Sequence, residues 1–246
     1  MGKKLSQIDI SAIDRDLPVL IAGPTASGKS ALALEIVQAQ GGVIINADAS
    51  QGFDGWRVLT ARPDAADEAR AEHILYGHVP FDSAYSSGKW LRDVAPLLNR
   101  EGKRAIIVGG TGLYFLALTQ GLADIPETTS EVRQQANSLR DSNKLAQMIA
   151  ALDAKTSAKI DLQNPMRVQR AWEVQTQTGK GLAQWHDETP APLVPLDHCT
   201  ALVLDADTQW LNARIARRFD LMLEQGALDE ARANLSRYDP ELLSCK

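Results

Sequence analysis

Short runs of consecutive apolar residues alternate along the chain with longer stretches in which apolar and polar positions are mixed. The runs that predict strands are residues 18–22, 42–46, 105–108 and 201–204, with 74–76 as a shorter candidate. Continuous apolar runs of this length are typical of strands buried on both faces of a parallel sheet. Because helix-like stretches separate the runs, the pattern predicts an α/β fold.

The character of the chain changes twice, and this predicts its domain organisation. Residues 47–70 are polar and loop-like, and residues from about 122 to 192 contain several helical stretches without a convincing strand. We therefore expect a sheet interrupted by a helical insertion. The predicted parts are a polar, loose leader at 1–16, a first part of the core at 17–121, the insertion at 122–192, and a return to the core at 193–246.

Composition indicates an ordinary globular protein. The 246 residues are 44% hydrophobic and 23% charged, and the net charge is −5, which excludes a globally basic nucleic-acid-binding protein but leaves room for a local basic groove. The two cysteines, Cys199 and Cys245, share no metal-ligand spacing, so neither a disulfide scaffold nor a zinc module organises the fold. No apolar stretch approaches the ~20 residues that span a bilayer, and the first residues do not resemble a secretory signal. We expect a cytoplasmic protein without a membrane partner.

The strongest motif is a glycine-rich phosphate loop between a predicted strand and a predicted helix. It fits G-x-x-x-x-G-K-[ST] in full, as Gly23-Pro24-Thr25-Ala26-Ser27-Gly28-Lys29-Ser30. The glycines let successive backbone N–H groups and the helix N-terminus face an anion. Lys29 supplies a positive charge, and Ser30 supplies a hydroxyl group for Mg²⁺. The motif predicts a diphosphate or triphosphate ligand.

The residues at the end of the strand predicted at 105–108 do not decide which reaction the protein catalyses. It ends in Gly109, Gly110 and Thr111, without the acidic residue that an ordinary NTPase places at such a strand end for Mg²⁺. The magnesium arrangement is therefore not the usual one. Since most proteins with this loop use a nucleotide, a small-molecule kinase is an alternative.

Asp48 follows the second predicted strand, at the sheet edge where ligands bind in such folds. Position alone leaves three roles open for its carboxylate: general base, metal partner or helix N-cap. Gln51 and Thr60 lie nearby in the sequence, and each by itself is typical of a residue that forms hydrogen bonds within a loop.

Several motifs occur in a fixed order. After the phosphate loop come Asp48-Ala49-Ser50-Gln51, then 60–63 (Thr-Ala-Arg-Pro), 109–114 (Gly-Gly-Thr-Gly-Leu-Tyr), 167–174 in the pattern R-x-x-R-A-x-E-V, 178–180 (Thr-Gly-Lys), and 211–226, which begins L-x-x-R-I-x-x-R. Over residues 18–246 this series closely resembles the tRNA dimethylallyltransferases, also called tRNA isopentenyltransferases or the IPP transferase family. The resemblance implies a P-loop NTPase-like parallel sheet with helices on both faces and a helical insertion domain.

The resemblance also implies a reaction. Members of the family transfer the dimethylallyl group of dimethylallyl diphosphate to the exocyclic amine of the adenosine next to the anticodon on its 3′ side in tRNA. The products are isopentenyladenosine and diphosphate. By resemblance, the diphosphate is bound by Gly23, Thr25, Ala26, Ser27, Gly28, Lys29 and Ser30, with Ser30 as the protein ligand of Mg²⁺.

The resemblance implies three catalytic residues. Asp48 receives or holds the amine proton, Thr111 helps to orient it, and Arg217 assists at the diphosphate, with Arg214 and Arg218 close by in the sequence as alternatives to Arg217.

The partner implied by the resemblance is the anticodon stem-loop of tRNA. The residues that would contact it are Asp48, Ala49, Ser50, Gln51, Arg167 and Arg170. In addition, residues 155–170 contain Lys155, Lys159, Arg167 and Arg170 but only one acid. Such a local excess predicts a phosphate-binding patch, with a solvated helix face as the alternative. We expect a monomer.

Some positions depart from the family pattern. Ala49 stands where the family usually has Ser, Arg62 where it usually has Lys, and Met166 where it usually has Gln. Family members usually run some tens of residues longer, so we expect a C-terminally truncated chain. An inactive homologue that binds diphosphate without turnover is therefore a further alternative.

Overall fold

The computed structural model describes residues 8–98, 100 and 102–245. The chain forms two compact units, one from Met1–Gln120 together with Pro192–Lys246 and the other from Gly121–Ala191. The first is called the sheet unit below, and the second the helical unit.

A parallel five-stranded sheet forms the centre of the sheet unit, which confirms the predicted α/β fold. Its strands are β1 (Val19–Ala22), β2 (Val43–Asn46), β3 (His73–Ile74), β4 (Ala105–Gly109) and β5 (Thr200–Val203), in the spatial order β3-β2-β4-β1-β5. In the register, Val19 of β1 pairs with Ile106 of β4 on one side and with Thr200 of β5 on the other. Because all strands are parallel, their carboxyl ends meet at one edge, where the phosphate loop follows β1 and Asp48 follows β2.

Loops and helices connect the strands of the described chain. The α-helices are α1 (Lys29–Gln40), α2 (Ala65–Arg70), α3 (Ser87–Leu98), α4 (Gly112–Gln120), α5 (Ser130–Asp141), α6 (Leu145–Ala150), α7 (Ala154–Lys159), α8 (Pro165–Thr178), α9 (Leu182–Asp187), α10 (Thr208–Glu224) and α11 (Ala227–Asn234). Helices α5 to α9 belong to the helical unit, and the others belong to the sheet unit.

Alternate side chains of the strands build two cores, one on each face of the sheet. Val19, Ile21 and Ile106 pack with α1 on one face, while Leu20 and Ile107 pack with α3 and α4 on the other. This alternation follows from the two-residue period of a strand. It leaves the sheet buried on both sides, as parallel sheets require.

Trp90 and Tyr114 belong to the core that α3 and α4 cover. Their rings stack with centroids 4.5 Å apart, and the Trp90 indole N–H donates to the Asn46 carbonyl oxygen at 2.8 Å. Tyr114 is only 4% exposed, so it packs in the core against Trp90, and Trp90 fixes the end of β2.

Helix α8 is the centre of the helical unit. Asn164 caps its N-terminus by accepting from the backbone N–H groups of Met166 and Arg167, with Pro165 in the first turn, and Gly179 ends it at φ 70°. These are typical start and stop residues of a helix. Inside, α8 buries Val168 and Trp172 against α5 and α6.

Three local features differ from the sequence expectations. The stretch 47–70 contains α2, whose N-cap Asp64 accepts from the Asp67 N–H. Strand β3 ends at Ile74, because Leu75 adopts φ 64° and turns the chain. Residues 1–7 of the predicted leader lie outside the described residues. In the described part, Ile13 is buried in the core beside α1 and Ile8 and Ile10 pack against that core, whereas the polar residues of 9–16 are exposed.

Candidate active site

The phosphate loop links β1 to α1 as the motif predicts. Gly28 sits at the N-cap of α1 with φ 97°, and Lys29 and Ser30 form its first turn. The N-cap residue Gly28 forms no side-chain capping hydrogen bond, so the N–H groups of the first turn remain available to an anion. A left-handed glycine at this point lets the loop curl around a phosphate group.

Lys29 is the cation at the base of this loop. Its Nζ donates to the Pro24 carbonyl oxygen at 3.3 Å. Burial lowers the pKa of Lys29, the carboxylate of Asp48 opposes that shift, and the positive charge of Arg218 adds to it. The lysine, the carboxylate and the arginine are therefore near enough to act on one another electrostatically.

Asp48 is held by a network of short local hydrogen bonds. The Asn46 side chain accepts from the Asp48 N–H at 2.9 Å and donates to the Asp48 and Leu75 carbonyl oxygens at 2.9 and 3.0 Å. One carboxylate oxygen of Asp48 accepts from the N–H and hydroxyl of Ser50 at 3.1 and 2.7 Å. The other carboxylate oxygen lies on the side of Gly110. Asp48 thus caps the short turn at 50–52 and keeps one oxygen for other chemistry.

Thr111 contacts the backbone on both sides of Asp48. Its hydroxyl oxygen accepts from the Ala49 N–H at 2.9 Å, and its own N–H donates to the Ala47 carbonyl oxygen at 3.1 Å. The close approach needs Gly109, because a Cβ there would lie 2.1 Å from the Ala47 carbonyl group. The glycine at the end of β4 is therefore required by packing, and Thr111 positions the backbone that carries Asp48.

A cleft of about 810 Å³ opens over the carboxyl edge of the sheet. Its volume lies in the usual range for small-molecule sites. It is lined by the phosphate loop, by Asp48, Ser50 and Gln51, by the loop Leu59–Thr60–Ala61, and by one face of α10. Gln51 also fixes this loop, since its side-chain amide donates to the carbonyl oxygens of Thr60 and Ala61 at 2.8 and 2.9 Å.

Helix α10 brings Arg214, Arg217 and Arg218 to the cleft. Arg214 Nε donates to the Ala26 carbonyl oxygen at 2.9 Å, and its guanidinium group lies 4.6 Å from the centre of the Trp210 ring. Arg218 is half-buried; burial lowers its pKa, and the charge of Asp48 opposes that shift. Arg217 is exposed at the cleft wall. Arg214 thus braces the loop, while Arg217 and Arg218 remain available to an anion.

Sequence reasoning missed the apolar part of the cleft. Ile215, Phe219 and Met222 of α10 line it together with Leu59, and Phe219 is 54% exposed. Large exposed apolar side chains beside a polar site are typical of a ligand surface. The sequence did contain a signal for this surface. The apolar side chains of α10 recur every three to four residues, as the arginines do, and this spacing places residues of each kind on one face of a helix.

The predicted basic patch of the helical unit is largely neutralised. Lys155 and Lys159 both pair with Asp187, an acid outside the counted stretch that α9 brings against α7. Arg170 is half-buried and donates to the Thr128 hydroxyl oxygen at 2.8 Å. Arg167 is exposed on the first turn of α8. Only Arg167 and Arg170 thus remain as sequence-predicted phosphate contacts of this unit.

The described residues contain no group of three or more His, Cys, Asp or Glu side chains that could hold a metal ion. None of the helices in the described part of the chain combines the length and apolar character that crossing a membrane requires.

Comparison with known proteins gives concordant matches. The family profile described as IPP transferase matches residues 51–245. The tRNA dimethylallyltransferase of Ruegeria sp. strain TM1040 is 61% identical over 239 residues, which cover 97% of this chain and 81% of that protein.

Solved structures agree. A eukaryotic dimethylallyltransferase acting on tRNA superposes with a TM-score of 0.77 at 26% identity, over 90% of this chain and 56% of that one. The full-length tRNA isopentenylpyrophosphate transferase of Bacillus halodurans gives a TM-score of 0.58 at 28% identity, over 93% of this chain and 73% of that one.

Proposed function

The chain belongs to the IPP transferase family, and we propose that it transfers a dimethylallyl group from dimethylallyl diphosphate to tRNA. The acceptor is the exocyclic amine of the adenosine next to the anticodon on its 3′ side, and the products are isopentenyladenosine and diphosphate. The observation that carries this proposal is a single carboxylate, Asp48, sharing one cleft with Lys29, Arg217 and Arg218.

The cations serve the leaving group. In the proposed reaction the bond between the allylic carbon and the diphosphate oxygen breaks, and its electron pair leaves on the diphosphate. The N–H groups at the start of α1, together with Lys29 and Arg218, are aimed at the negative charge that develops there. Because these groups are held in place before the reaction, they stabilise that charge without reorganising.

Asp48 serves the acceptor. The amine nitrogen of the adenosine donates its lone pair to the allylic carbon, and the Asp48 carboxylate takes the proton that the nitrogen then loses. The carboxylate oxygen not used by Ser50 is the one that performs this step. Thr111 contributes by holding Ala49, and through it Asp48, in position.

The apolar side of the cleft fits the prenyl chain. Leu59, Ile215, Phe219 and Met222 offer it a hydrocarbon surface, and burial of apolar groups contributes about 0.8 kcal/mol per CH₂. Because the dimethylallyl group is entirely hydrocarbon, this surface suits an allylic diphosphate.

The residues fit a Mg²⁺ ion that is held mainly by its substrate. Mg²⁺ takes oxygen ligands and commonly combines one or two protein groups with phosphate oxygens. Ser30 offers a hydroxyl group of this kind beside Lys29, on the lining of the cleft. When bound, Mg²⁺ would offset charge on the diphosphate.

The acceptor base has to leave its stack to reach such a cleft, which is usual for enzymes that act on a base. Ser50 and Gln51 line the cleft close to Asp48, next to the place where an inserted adenine would lie. We propose that Arg167 and Arg170 of the helical unit contact phosphates of the anticodon stem-loop. A tRNA substrate also favours a cytoplasmic location, and a monomer remains our expectation.

A transfer assay tests the proposed function. The chain is incubated with dimethylallyl diphosphate labelled in the prenyl group, Mg²⁺ and unmodified tRNA, with AMP and ATP as rival substrates. We expect label in tRNA, and a loss of about 10²- to 10⁴-fold with Asp48→Asn, the usual range for removal of a general base. Diphosphate binding should survive this substitution, because it removes a negative charge facing the anion. Label in AMP alone, or phosphate transfer from ATP, would contradict the proposal.

A further inference from the structure

One carboxylate outside the cleft accepts from three consecutive backbone N–H groups, the last of which belongs to a cleft-lining residue. Glu230 of α11 accepts from the N–H groups of Arg57 at 2.6 Å, of Val58 at 2.9 and 3.1 Å, and of Leu59 at 2.9 Å. The three donors are consecutive and open a tight turn in which the Arg62 N–H bonds back to the Arg57 carbonyl oxygen at 2.9 Å. Glu230 therefore does for this turn what a capping side chain does for a helix.

Further contacts connect the segment before Arg57 to α11 and to the residues that follow it. Asn234, one turn after Glu230, donates to the Gly55 carbonyl oxygen at 2.8 Å. The Arg237 guanidinium lies 4.4 Å from the centre of the Phe81 ring, which in turn contacts Trp56. Helix α11 therefore contacts the segment at Gly55 as well as at Arg57–Leu59.

The turn continues directly into the wall of the cleft. Leu59 is both the last donor to Glu230 and a lining residue, and Thr60 and Ala61 line the cleft next to it. On the opposite side, Gln51 holds the same two residues through their carbonyl oxygens. The wall is therefore fixed between the Asp48 segment and α11.

Helix α11 is also connected to the second wall of the cleft, which is formed by α10. Only Gln225 and Gly226 separate it from α10, which presents the arginines and the apolar side chains, and the two helices pack on each other. A displacement of α11 relative to 57–59 would change the distance between the Leu59–Ala61 wall and the α10 wall.

We infer that Glu230 is a positioning residue that sets the separation of the two cleft walls and thereby the placement of the prenyl acceptor. The inference rests on the proposed function. It assigns Glu230 no contact with substrate; its carboxylate acts through the backbone of 57–59. Helix α10 is tied to the phosphate loop independently of Glu230, because Arg214 Nε donates to the Ala26 carbonyl oxygen at 2.9 Å. Loss of the brace should therefore displace the Leu59–Ala61 wall and leave the diphosphate end of the cleft in place.

The test compares Glu230→Ala and Glu230→Gln with Asp229→Ala as a matched control. Asp229 is the preceding residue of α11, is exposed, and pairs with Arg232 of the same helix at 2.8 Å. Five quantities are measured on the full chain: amide hydrogen exchange at 57–59, the Kd of inorganic diphosphate with Mg²⁺, the kcat and the KM of dimethylallyl transfer to tRNA, and Tm.

For Glu230→Ala we expect faster exchange at 57–59, diphosphate affinity within about twofold of the wild type, and kcat/KM for tRNA reduced by about tenfold or more, since small misplacements at a site are costly. Glu230→Gln should recover part of the loss, because its amide oxygen still accepts from the turn. Asp229→Ala should leave exchange at 57–59 and transfer unchanged.

Two results would overturn the inference. One is wild-type transfer by Glu230→Ala despite faster exchange, and the other is a parallel loss of diphosphate affinity, transfer and Tm. If the wild-type chain itself transfers nothing, the proposed function fails. The brace is then judged by exchange alone, where faster exchange at 57–59 in Glu230→Ala supports it and equal exchange overturns it.

Discussion

The cations in the cleft of the sheet unit and the cations on the surface of the helical unit differ in whether they have carboxylate partners. In the cleft, Lys29, Arg217 and Arg218 have no carboxylate within 4.0 Å among the described residues, although Asp48 is near enough to influence two of them. In the helical unit, Lys155 and Lys159 share Asp187, and other cations are paired as well, namely Lys180 with Glu188 and Arg133 with Glu173.

This difference indicates that the cations of the cleft serve to bind a ligand, whereas the paired cations of the helical unit interact within the fold. Burial lowers the pKa of both Lys29 and Arg218, which means that the folded chain keeps them charged at a cost. A bound diphosphate would compensate that cost. Lys155, Lys159 and Lys180 of the helical unit already have a carboxylate partner within the chain, so the comparison predicts that these three contribute little to ligand binding.

Substitution of Lys29 should give the largest effect. For Lys29→Met we expect transfer to fall by about 10²- to 10³-fold, as for the loss of one preorganised charge-stabilising donor, with a corresponding rise in the Kd of diphosphate. The Tm should stay the same or rise, because a partly desolvated cation without a carboxylate within 4.0 Å among the described residues is removed. Calorimetry and the transfer assay measure these quantities. A clear drop in Tm would mean that Lys29 serves the fold, and Lys155→Met is the control expected to leave diphosphate binding unchanged.

The arginines of α10 come next. Arg218→Gln should weaken diphosphate binding by about 10- to 100-fold, the usual range for a hydrogen bond to a charged group. Arg217→Gln should weaken it less, because Arg217 is exposed and its charge is screened by water. Titration with inorganic diphosphate compares the two variants. A larger effect at Arg217 would reverse the assignment and return the leading role to the residue that the resemblance implied.

A buried carboxylate of the helical unit should affect stability instead. Glu173 is fully buried; it accepts from the Gln169 side chain at 2.8 Å and lies 3.3 Å from an Arg133 guanidinium nitrogen. We expect Glu173→Gln to lower the free energy of unfolding by about 1–3 kcal/mol, because one buried donor or acceptor is then left without a partner. Chemical denaturation followed by tryptophan fluorescence measures this. Glu188→Gln removes the pair of an exposed carboxylate with the partly exposed Lys180 and should have little effect. Equal losses in both variants would contradict the distinction.

Local patterns in the sequence predicted most of the catalytic edge. The phosphate loop is contiguous, so Gly28, Lys29 and Ser30 could be assigned to a strand–loop–helix unit before any packing was known. Asp48 was placed at the same edge because parallel strands end together. Both assignments depend on only a few neighbouring residues, which is why the motif and the strand pattern were sufficient.

Contacts between distant parts of the chain could not be predicted in this way. The residues that Glu230 binds precede it by more than 170 positions, and no period or spacing encodes such a contact. The choice between Arg217 and Arg218 depends on the rotation of α10 over the cleft, which is determined by packing. The charge count over 155–170 was misleading for the same reason, since the acid that neutralises its two lysines lies on another helix.

The Asp187→Asn variant should have the smallest effect, and it tests the comparison between the two units most directly. The substitution removes the shared partner of Lys155 and Lys159, whose hydrogen bonds lower the pKa of the Asp187 carboxyl. We expect little change in stability, because exposed ion pairs contribute little, and tRNA affinity within about twofold of the wild type with an unchanged salt dependence. Titrations of tRNA at several salt concentrations measure this. If the slope of log K against log salt became steeper by about one or two, the freed lysines would be binding phosphates, and paired charge in the helical unit would then be a reserve for RNA and not a device of the fold.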